Sequence, residues 1–292
     1  MATERIRTDL ACERCAAAGG NYTETKAGLC RLHTWKIATQ ADARASGCKK
    51  GVYQTLFLPP VMMLGERERE EITKQVAERL REMAAALLHT DDMHGKRILF
   101  VGLGNRSLTA DALGPLTAER VHATAHWQQS RPALFAQLGC AALAVLAPGT
   151  AACSGIRSTT LTKAVAAAFQ PDMILAVDAL AARAFSRLAS TIQFTDAGIA
   201  PGTGLHGEAG HFSRAVMGCP VLAVGVPMVS DTTALVSDTF ASAGLKPPRA
   251  WRKKAAITER CFICPPEADA LVRLFAEMIG TAVNRVFGVP EL

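Results

Sequence analysis

Two aspartates, Asp111 and Asp178, follow short apolar runs that are typical of buried strands. Asp111 lies at a predicted helix start within the stretch 101–115, and Asp178 directly follows the run 173–177. In an open α/β sheet, ligands and catalytic groups collect beyond the carboxyl ends of the strands, so we expect these two acids to converge. Two converging carboxylates predict general acid–base chemistry.

Each of these aspartates also has a structural interpretation. Asp is a preferred N-cap residue, so Asp111 is also a candidate helix cap. An acid that follows a buried strand must be bonded or functional, and a salt bridge between Asp178 and Arg183 is the structural alternative. Asp196 and Asp231 also follow strand-like runs. Four acids at strand ends predict either a metal site or an acid–base site with supporting residues.

The residues next to the two acids allow a turn and offer polar groups. Gly102 and Gly104 permit a sharp turn after a strand, but the third glycine of a dinucleotide-binding loop is missing. A nucleotide site is therefore not favoured, and no cofactor is expected. Asn105 and Arg183 are placed to orient the acids or a substrate.

The glycine-rich stretch 198–211 is expected to be a mobile loop near the strand ends that closes over a substrate. It contains His206 and His211, the two histidines that lie outside the polar, exposed segments. The sequence lacks a Gly-x-Ser-x-Gly nucleophile elbow, so serine-based nucleophilic catalysis is not favoured.

The elements that position these residues are predicted from apolar periodicity. Helical spacing predicts a long helix over 66–88, a second over 158–169 and a third from Pro266 onward. Strand candidates without polar alternation lie between helical or Gly/Pro-rich segments, at 98–101, 141–146, 173–177, 191–194 and 221–224. Such strands belong in a mostly parallel sheet that is covered on both faces, which predicts a three-layer α/β/α fold.

Residues 1–65 are predicted to form a small cysteine-rich N-terminal subregion ahead of an α/β domain over 66–292. The subregion looks irregular, with one strand candidate at 52–58 that ends at Pro59.

The cysteines allow two kinds of interpretation. Cys12, Cys15, Cys30 and His33 have the spacing of a zinc knuckle, and the alternative is a set of scattered reduced thiols. The pair at 261 and 264 encloses two apolar residues, which favours a strand edge over a redox site.

The composition bounds the class of protein. With 292 residues, 49% hydrophobic and 20% charged, the chain is expected to be a soluble globular protein with a substantial core. No apolar run reaches the roughly 18 residues of a membrane span and the start has no signal peptide, so a cytoplasmic location without membrane contact is expected. The nine cysteines then predict reduced thiols or metal ligands. The net charge of +6 is interspersed with acids, so direct nucleic-acid binding is not predicted.

Short motifs occur in order over nearly the whole chain. They are IRTDLA at 6–11, VGLGN at 101–105, TADALGP at 109–115, APG at 147–149, DALAAR at 178–183, TIQ at 191–193, DAGI at 196–199, PGTG at 201–204 and GVP at 225–227. Taken together, these motifs resemble the spore germination protease family, and the opening IRTDLA resembles the N-terminal motif of that family.

The resemblance implies an endopeptidase that degrades the small acid-soluble proteins of dormant bacterial spores, acting as a homotetramer in the forespore or spore core. It implies an atypical aspartic peptidase with Asp111 and Asp178 as catalytic residues and a fold similar to hydrogenase maturation endopeptidases. In those related enzymes the matching acids bind nickel. Asp196, His206 and Asp231 are then expected to support the site or bind substrate.

One departure from the family pattern concerns activation. The family is made as a zymogen with an acidic propeptide ahead of the Arg-Thr-Asp-Leu-Ala motif, whereas six residues precede Arg7 in this sequence. We therefore expect activity without self-cleavage, or restraint by substrate access or dehydration.

Two rival functions follow from the same residues. A metal-dependent maturation endopeptidase would keep the fold and use the acids as metal ligands. A catalytically silent binding protein would use the aspartates as caps and salt bridges and hold zinc with its N-terminal thiols. Metal analysis and a cleavage assay with and without a chelator separate the three.

Overall fold

The computed structural model describes residues 8–201, 210–245 and 261–289. Within these residues nine strands form one sheet in the order β1-β2-β3-β7-β8-β6-β4-β5, with β9 paired to β8. The strands are β1 (Thr23–Ala27), β2 (Cys30–Ile37), β3 (Gly51–Phe57), β4 (Arg97–Gly102), β5 (Ala142–Leu146), β6 (Met173–Ala182), β7 (Thr191–Thr195), β8 (Val221–Asp231) and β9 (Phe262–Ile263).

The predicted α/β class is confirmed, but the sheet is mixed rather than mostly parallel. In the described part of the chain, the pairs β4–β5, β4–β6 and β6–β8 are parallel, and the other five pairs are antiparallel. The difference arises at β7, which runs antiparallel to both β8 and β3. The sheet therefore has a parallel half, formed by β8, β6, β4 and β5. The N-terminal strands β1 to β3 and β7 continue it as an antiparallel half.

Helices cover both faces of this sheet, as the three-layer prediction requires. The helices are α1 (Ala11–Ala17), α2 (Gln40–Ser46), α3 (Glu66–Leu88), α4 (Leu113–Ala118), α5 (Trp127–Ser130), α6 (Pro132–Leu138), α7 (Ala151–Ser154), α8 (Ser158–Phe169), α9 (Arg214–Met217), α10 (Thr232–Ser242) and α11 (Ala268–Val286). The predicted bounds of α3 and α8 agree with the structure. No helix of the described residues combines the length and apolarity that a membrane span needs.

The largest apolar core lies between the sheet and the helices α3 and α11. Its helical residues recur at the spacing that predicted these helices, for example Ile72 and Val76 in α3 and Leu271 and Phe275 in α11. The ion pair between Glu70 and Arg285, 2.7 Å between Oε1 and Nη1, joins the two helices at the rim. The opposite face of the sheet is covered by α8 and, on the antiparallel half, by α1.

The N-terminal region is more regular than predicted. Besides β3, it contains two helices and the hairpin of β1 and β2, where an irregular segment was expected. Through the pairing of β3 with β7, its strands belong to the same sheet as the rest of the chain. The boundary at residue 65 therefore falls between elements that share one sheet, and the division into two parts stays a prediction.

The Cys261 and Cys264 thiols flank β9, which pairs with the end of β8. The prediction of a strand edge at this place is confirmed. Both cysteines are exposed.

Gly114 allows the closest backbone contact near the carboxyl ends of the central strands. A Cβ atom at Gly114 would lie 2.2 Å from the Leu103 carbonyl oxygen and 2.5 Å from that of Val177. The same Val177 oxygen accepts a hydrogen bond of 2.8 Å from the Leu103 N–H. Only glycine lets α4 approach this junction of β4 and β6, which lies next to Asp178.

A Gly114→Ala variant is therefore expected to lose about 3 kcal/mol or more of unfolding free energy, because backbone rather than a flexible side chain must move. Urea unfolding at neutral pH measures this loss. Gly65→Ala is the matched control, since a Cβ there meets nothing closer than a Glu68 oxygen at 3.7 Å. It should change the unfolding free energy by about 1 kcal/mol at most. Equal stability of the two variants would contradict the role given to Gly114.

Candidate active site

Asp111 is held over the end of β4 by a tight turn. The chain leaves β4 through Gly104, whose φ of 114° is disfavoured for other residues, and returns in a 3-10 turn over Thr109–Asp111. A Cβ at Gly104 would lie 2.0 Å from the Asp111 carbonyl oxygen, so the two backbone segments are in direct contact. The Asn105 N–H donates to Asp111 Oδ2 at 2.8 Å.

These contacts exclude the helix-cap interpretation of Asp111. The N-cap of α4 is Ala112, with no side-chain cap, so Asp111 does not cap that helix. Burial raises the pKa of the Asp111 carboxyl to about 6, partly opposed by the hydrogen bond from Asn105. A carboxyl with this pKa changes its charge near neutral pH, as a general acid or base does.

Asp178 lies inside β6 and not at its end, which corrects the prediction. The strand continues to Ala182, where the sequence suggested that it stops at residue 177. The reason is β8, which runs beside β6 as far as Ser230 and gives the extra residues a pairing partner. Asp178 is directly opposite Gly225 of β8 and is 2% exposed.

The surroundings of Asp178 favour its neutral form. Burial is the main cause that raises its pKa well above the ordinary value, and the charges of Asp111 and Asp9 act in the same direction. The Ala179 N–H opposes them with a hydrogen bond to the carboxylate. The structure therefore brings Asp111 and Asp178 within electrostatic reach of each other, with Asp178 the more strongly protonated of the two.

Asp9 is a third carboxylate at this place, and the sequence reasoning gave it no role. Its N–H donates to the Ala181 carbonyl oxygen and its Oδ2 accepts from the Ala181 N–H, both at 2.9 Å. These bonds tie the N-terminal segment to β6 beside Asp178. The available signal was the position of Asp9 within the IRTDLA motif, directly before the fully buried Leu10.

Gln193 of β7 anchors the same segment and was also missed. Its Oε1 accepts from the Ala11 N–H at 2.5 Å, and its Nε2 donates to the Asp9 carbonyl oxygen at 3.2 Å. In the sheet Gly225 lies between Gln193 and Asp178, because it pairs with both. The available signal was a glutamine between the two apolar residues Ile192 and Phe194 of this short strand, since a buried amide needs hydrogen-bond partners.

A cavity of about 240 Å³ opens on this face of the sheet. Gly225 and Leu180, the neighbours of Asp178 across and along the sheet, form part of its wall. Because Gly225 has no side chain, the Leu180 side chain packs directly against the β8 backbone: a Cβ at Gly225 would lie 2.5 Å from Leu180 Cγ. The remaining lining residues are Asp9, Ala11, Arg14, Gly47, Cys48, Lys49, Tyr53, Gln193, Thr195, Gly198, Ile199, Ala200, His211, Ala223 and Val224.

Asn105 and Arg183 both make structural contacts. The Asn105 amide N–H supports Asp111, while its Oδ1 accepts from the Ser107 N–H at 3.0 Å. The Arg183 N–H donates to Glu13 Oε2 at 2.8 Å, and its carbonyl oxygen accepts from Ser230 Oγ at 3.1 Å.

The other predicted supporting residues lie apart from Asp111 and Asp178 or outside the residues that the structure describes. Asp196 Oδ1 accepts from the Val52 N–H at 2.7 Å at the start of β3, and burial raises its pKa. Asp231 is buried at the end of β8, opposite Phe262. His206 lies outside the described residues, as does most of the predicted loop over 198–211.

The predicted zinc knuckle does not form. Cys12 and Cys15 lie in the apolar core under α1, whereas Cys30 packs into the core on the other face of the sheet. Residues three apart in a strand point to opposite faces, so Cys30 and His33 of β2 cannot share a site. His33 instead contacts Glu24, 2.6 Å between Nε2 and Oε2. No cluster of three or more His, Cys, Asp or Glu with metal-binding geometry occurs in the described part of the chain.

Sequence comparison places this chain in a known group of proteins. The chain matches the family described as germination protease over residues 13–261, a segment that contains both Asp111 and Asp178. The chain belongs to the germination protease family. Family membership confirms the resemblance on which the expected site residues were based.

Several members of the family are similar over most of the chain. The germination proteases of Bacillus velezensis and Bacillus subtilis are 37% and 35% identical over 246 residues, which cover 80% of this chain and 66% of each relative. The germination protease of Clostridium acetobutylicum is 31% identical over 244 residues, 80% of this chain and 73% of the relative. The chain thus spans just under two thirds of the length of the two Bacillus proteins.

Among solved structures, the [NiFe] hydrogenase maturation protease HycI from Thermococcus kodakarensis is a more distant match. It is 18% identical with a TM-score of 0.36, covering 68% of this chain and 96% of that protein.

Proposed function

We propose that this chain is an endopeptidase that begins the degradation of small acid-soluble spore proteins during germination, with Asp111 and Asp178 as its catalytic pair. Membership of the germination protease family supports the activity and the substrate class. The observation that carries the catalytic assignment is the buried Asp178 carboxyl, whose pKa is raised by burial and by the charge of Asp111. A buried acid with a second acid beside it is costly in a purely structural role.

The environments of the two acids suggest distinct roles. Asp111, with a pKa of about 6, is largely ionised at neutral pH and would take a proton from the attacking water. The water oxygen adds to the peptide carbonyl carbon as this proton leaves. Asp178, whose pKa is raised well above the ordinary value, would give a proton to the amide nitrogen as the C–N bond breaks. The two carboxyls then share one proton at the start of each cycle.

Asp9 and the cavity complete this proposal. The Asp9 charge disfavours ionisation of Asp178, so Asp9 acts as a positioning residue that keeps the acid protonated. The cavity beside Gly225 has room for one side chain of an extended substrate. Action as a homotetramer in the cytoplasm of the forespore or in the spore core is part of the proposal and follows from the family resemblance.

The test is to incubate the purified protein with a small acid-soluble spore protein and to identify fragments by mass spectrometry, with and without a chelator. Discrete fragments in both samples are expected. Loss of cleavage with the chelator would favour the metal-dependent maturation endopeptidase. Absence of fragments in both samples would favour the third function, a catalytically silent binding protein.

The pH dependence of cleavage tests the assigned roles. The rate is expected to rise with pH through about 6, as Asp111 ionises, and to fall at higher pH as Asp178 loses its proton. Measuring kcat/KM across this range gives the two limbs of the profile. A rate that does not change between pH 5 and about 7 would contradict Asp111 as the base.

A further inference from the structure

Cys15 and Cys48 form a thiol pair outside the catalytic pair. Cys15 lies on α1 and Cys48 directly follows Gly47, the αL residue that ends α2. Both are buried in the same apolar cluster, where the Cys15 thiol donates a hydrogen bond to the Cys48 sulfur. The adjoining residues are bonded as well, since Arg14 Nη1 donates to the Gly47 carbonyl oxygen at 3.1 Å.

The two thiols differ in reactivity and access. The hydrogen bond from Cys15 is the main cause that lowers the pKa of Cys48 to about 7, and the nearby Arg14 charge also favours the thiolate. Cys15 has a raised pKa, because it is the donor in this bond and is buried. Cys48 lines the 240 Å³ cavity, so a small molecule that enters the cavity lies against this residue.

We propose that Cys15 and Cys48 are a modification site, which forms a reversible disulfide when the reduced protein meets a hydroperoxide. The site takes a small peroxide as co-substrate, with Cys48 as the attacking thiol and Cys15 as the resolving thiol. This inference does not depend on the proposed peptidase function.

The reaction balances in two steps. The Cys48 thiolate attacks the terminal peroxide oxygen, the O–O bond breaks, and the leaving alkoxide takes a proton to become an alcohol, or water for hydrogen peroxide. Cys15 then attacks the sulfur of the Cys48 sulfenic acid, the S–O bond breaks, and the released hydroxide takes the Cys15 proton to form water. The two thiols are oxidised by two electrons in total and the peroxide is reduced by the same number.

The disulfide would link two chain segments that lie beside the cavity. α1 follows the segment that holds Asp9 against β6, and the chain after α2 carries Cys48 and Lys49 of the opposite wall. A covalent link between them closes a loop of more than 30 residues, which should raise the melting temperature by about 5 to 10 °C.

The experiment treats the folded, reduced protein with excess hydrogen peroxide, blocks remaining thiols under denaturing conditions, and maps cross-linked peptides by mass spectrometry. A Cys15–Cys48 peptide is expected, together with loss of two hydrogen atoms in the intact mass. The rise in melting temperature should disappear on treatment with dithiothreitol. A Cys12–Cys15 link, or oxidation confined to the exposed Cys153, Cys261 and Cys264, would overturn the proposal.

Single variants sharpen this test. Cys12→Ser is the matched control, because Cys12 shares α1 and the same apolar cluster, and it should keep both the cross-link and the temperature rise. Cys48→Ser should lose both, and an unchanged temperature rise in this variant would contradict the assignment. If Cys48→Ser fails to fold, the peptide map of the unmodified chain still decides the question.

Discussion

An Asp111→Asn or Asp178→Asn variant is expected to cleave a small acid-soluble spore protein about 10²-fold more slowly or worse, because each loses one of the two proton-transfer groups. Asparagine keeps the size of the side chain and can still accept the hydrogen bond from Asn105 or Ala179. The loss should therefore appear in kcat, without unfolding. Initial rates with defined substrate, together with circular dichroism, measure both.

The matched control for these variants is Asp196→Asn. Asp196 is also a half-buried aspartate with a raised pKa, but its carboxylate holds the Val52 N–H at the start of β3. Asparagine preserves that acceptor, so cleavage should stay within a few-fold of the unmodified chain. Near-normal cleavage by a folded Asp111→Asn or Asp178→Asn variant would rule out the two-aspartate mechanism.

The same substitutions are expected to stabilise the protein above neutral pH. The pKa of Asp111 is about 6 in the folded state against an ordinary value of 3.8, so the folded state binds the proton more tightly than the unfolded state. The unmodified protein therefore loses unfolding free energy as pH rises from about 4 to 6, by about 3 kcal/mol for a displacement of this size. Asp111→Asn has no such loss.

Urea unfolding at a pH below 4 and again near pH 8 measures this effect. Asp111→Asn should gain about 3 kcal/mol relative to the unmodified protein between the two conditions. Asp178→Asn should gain in the same direction, because burial also raises the pKa of Asp178 in the folded state. A stability difference that is independent of pH would show that burial does not raise the pKa of these carboxyls.

The parts of the fold that the sequence predicted are those governed by local periodicity. The apolar stripes of α3 and α11 repeat at helical spacing, and the same positions face the core in the structure. The length of β6 was underestimated because its second half depends on pairing with β8, which follows about forty residues later. The direction of β7 likewise depends on its neighbours and not on its own residues.

The site was predictable to the extent that its residues follow strands. Asp111 and Asp178 both follow or lie in apolar runs, and the structure brings them together as expected. Asp9 was missed because its contact with Ala181 joins residues 172 positions apart. The zinc prediction failed because the segment around Cys30 and His33 was expected to be irregular, whereas it forms the strand β2, in which residues three apart point to opposite faces.

The pairing of β3 with β7 has a consequence for how the chain folds. Thr55 of β3 pairs with Gln193, and the intervening residues include most of the parallel half of the sheet. Because synthesis proceeds from the N-terminus, the strands β1 to β3 emerge long before the partner that covers their inner edge. An open edge of this kind recruits strands from other molecules, and distant pairings form slowly. Until β7 has been made, the edge of β3 therefore stays unpaired and open to association with strands of other chains.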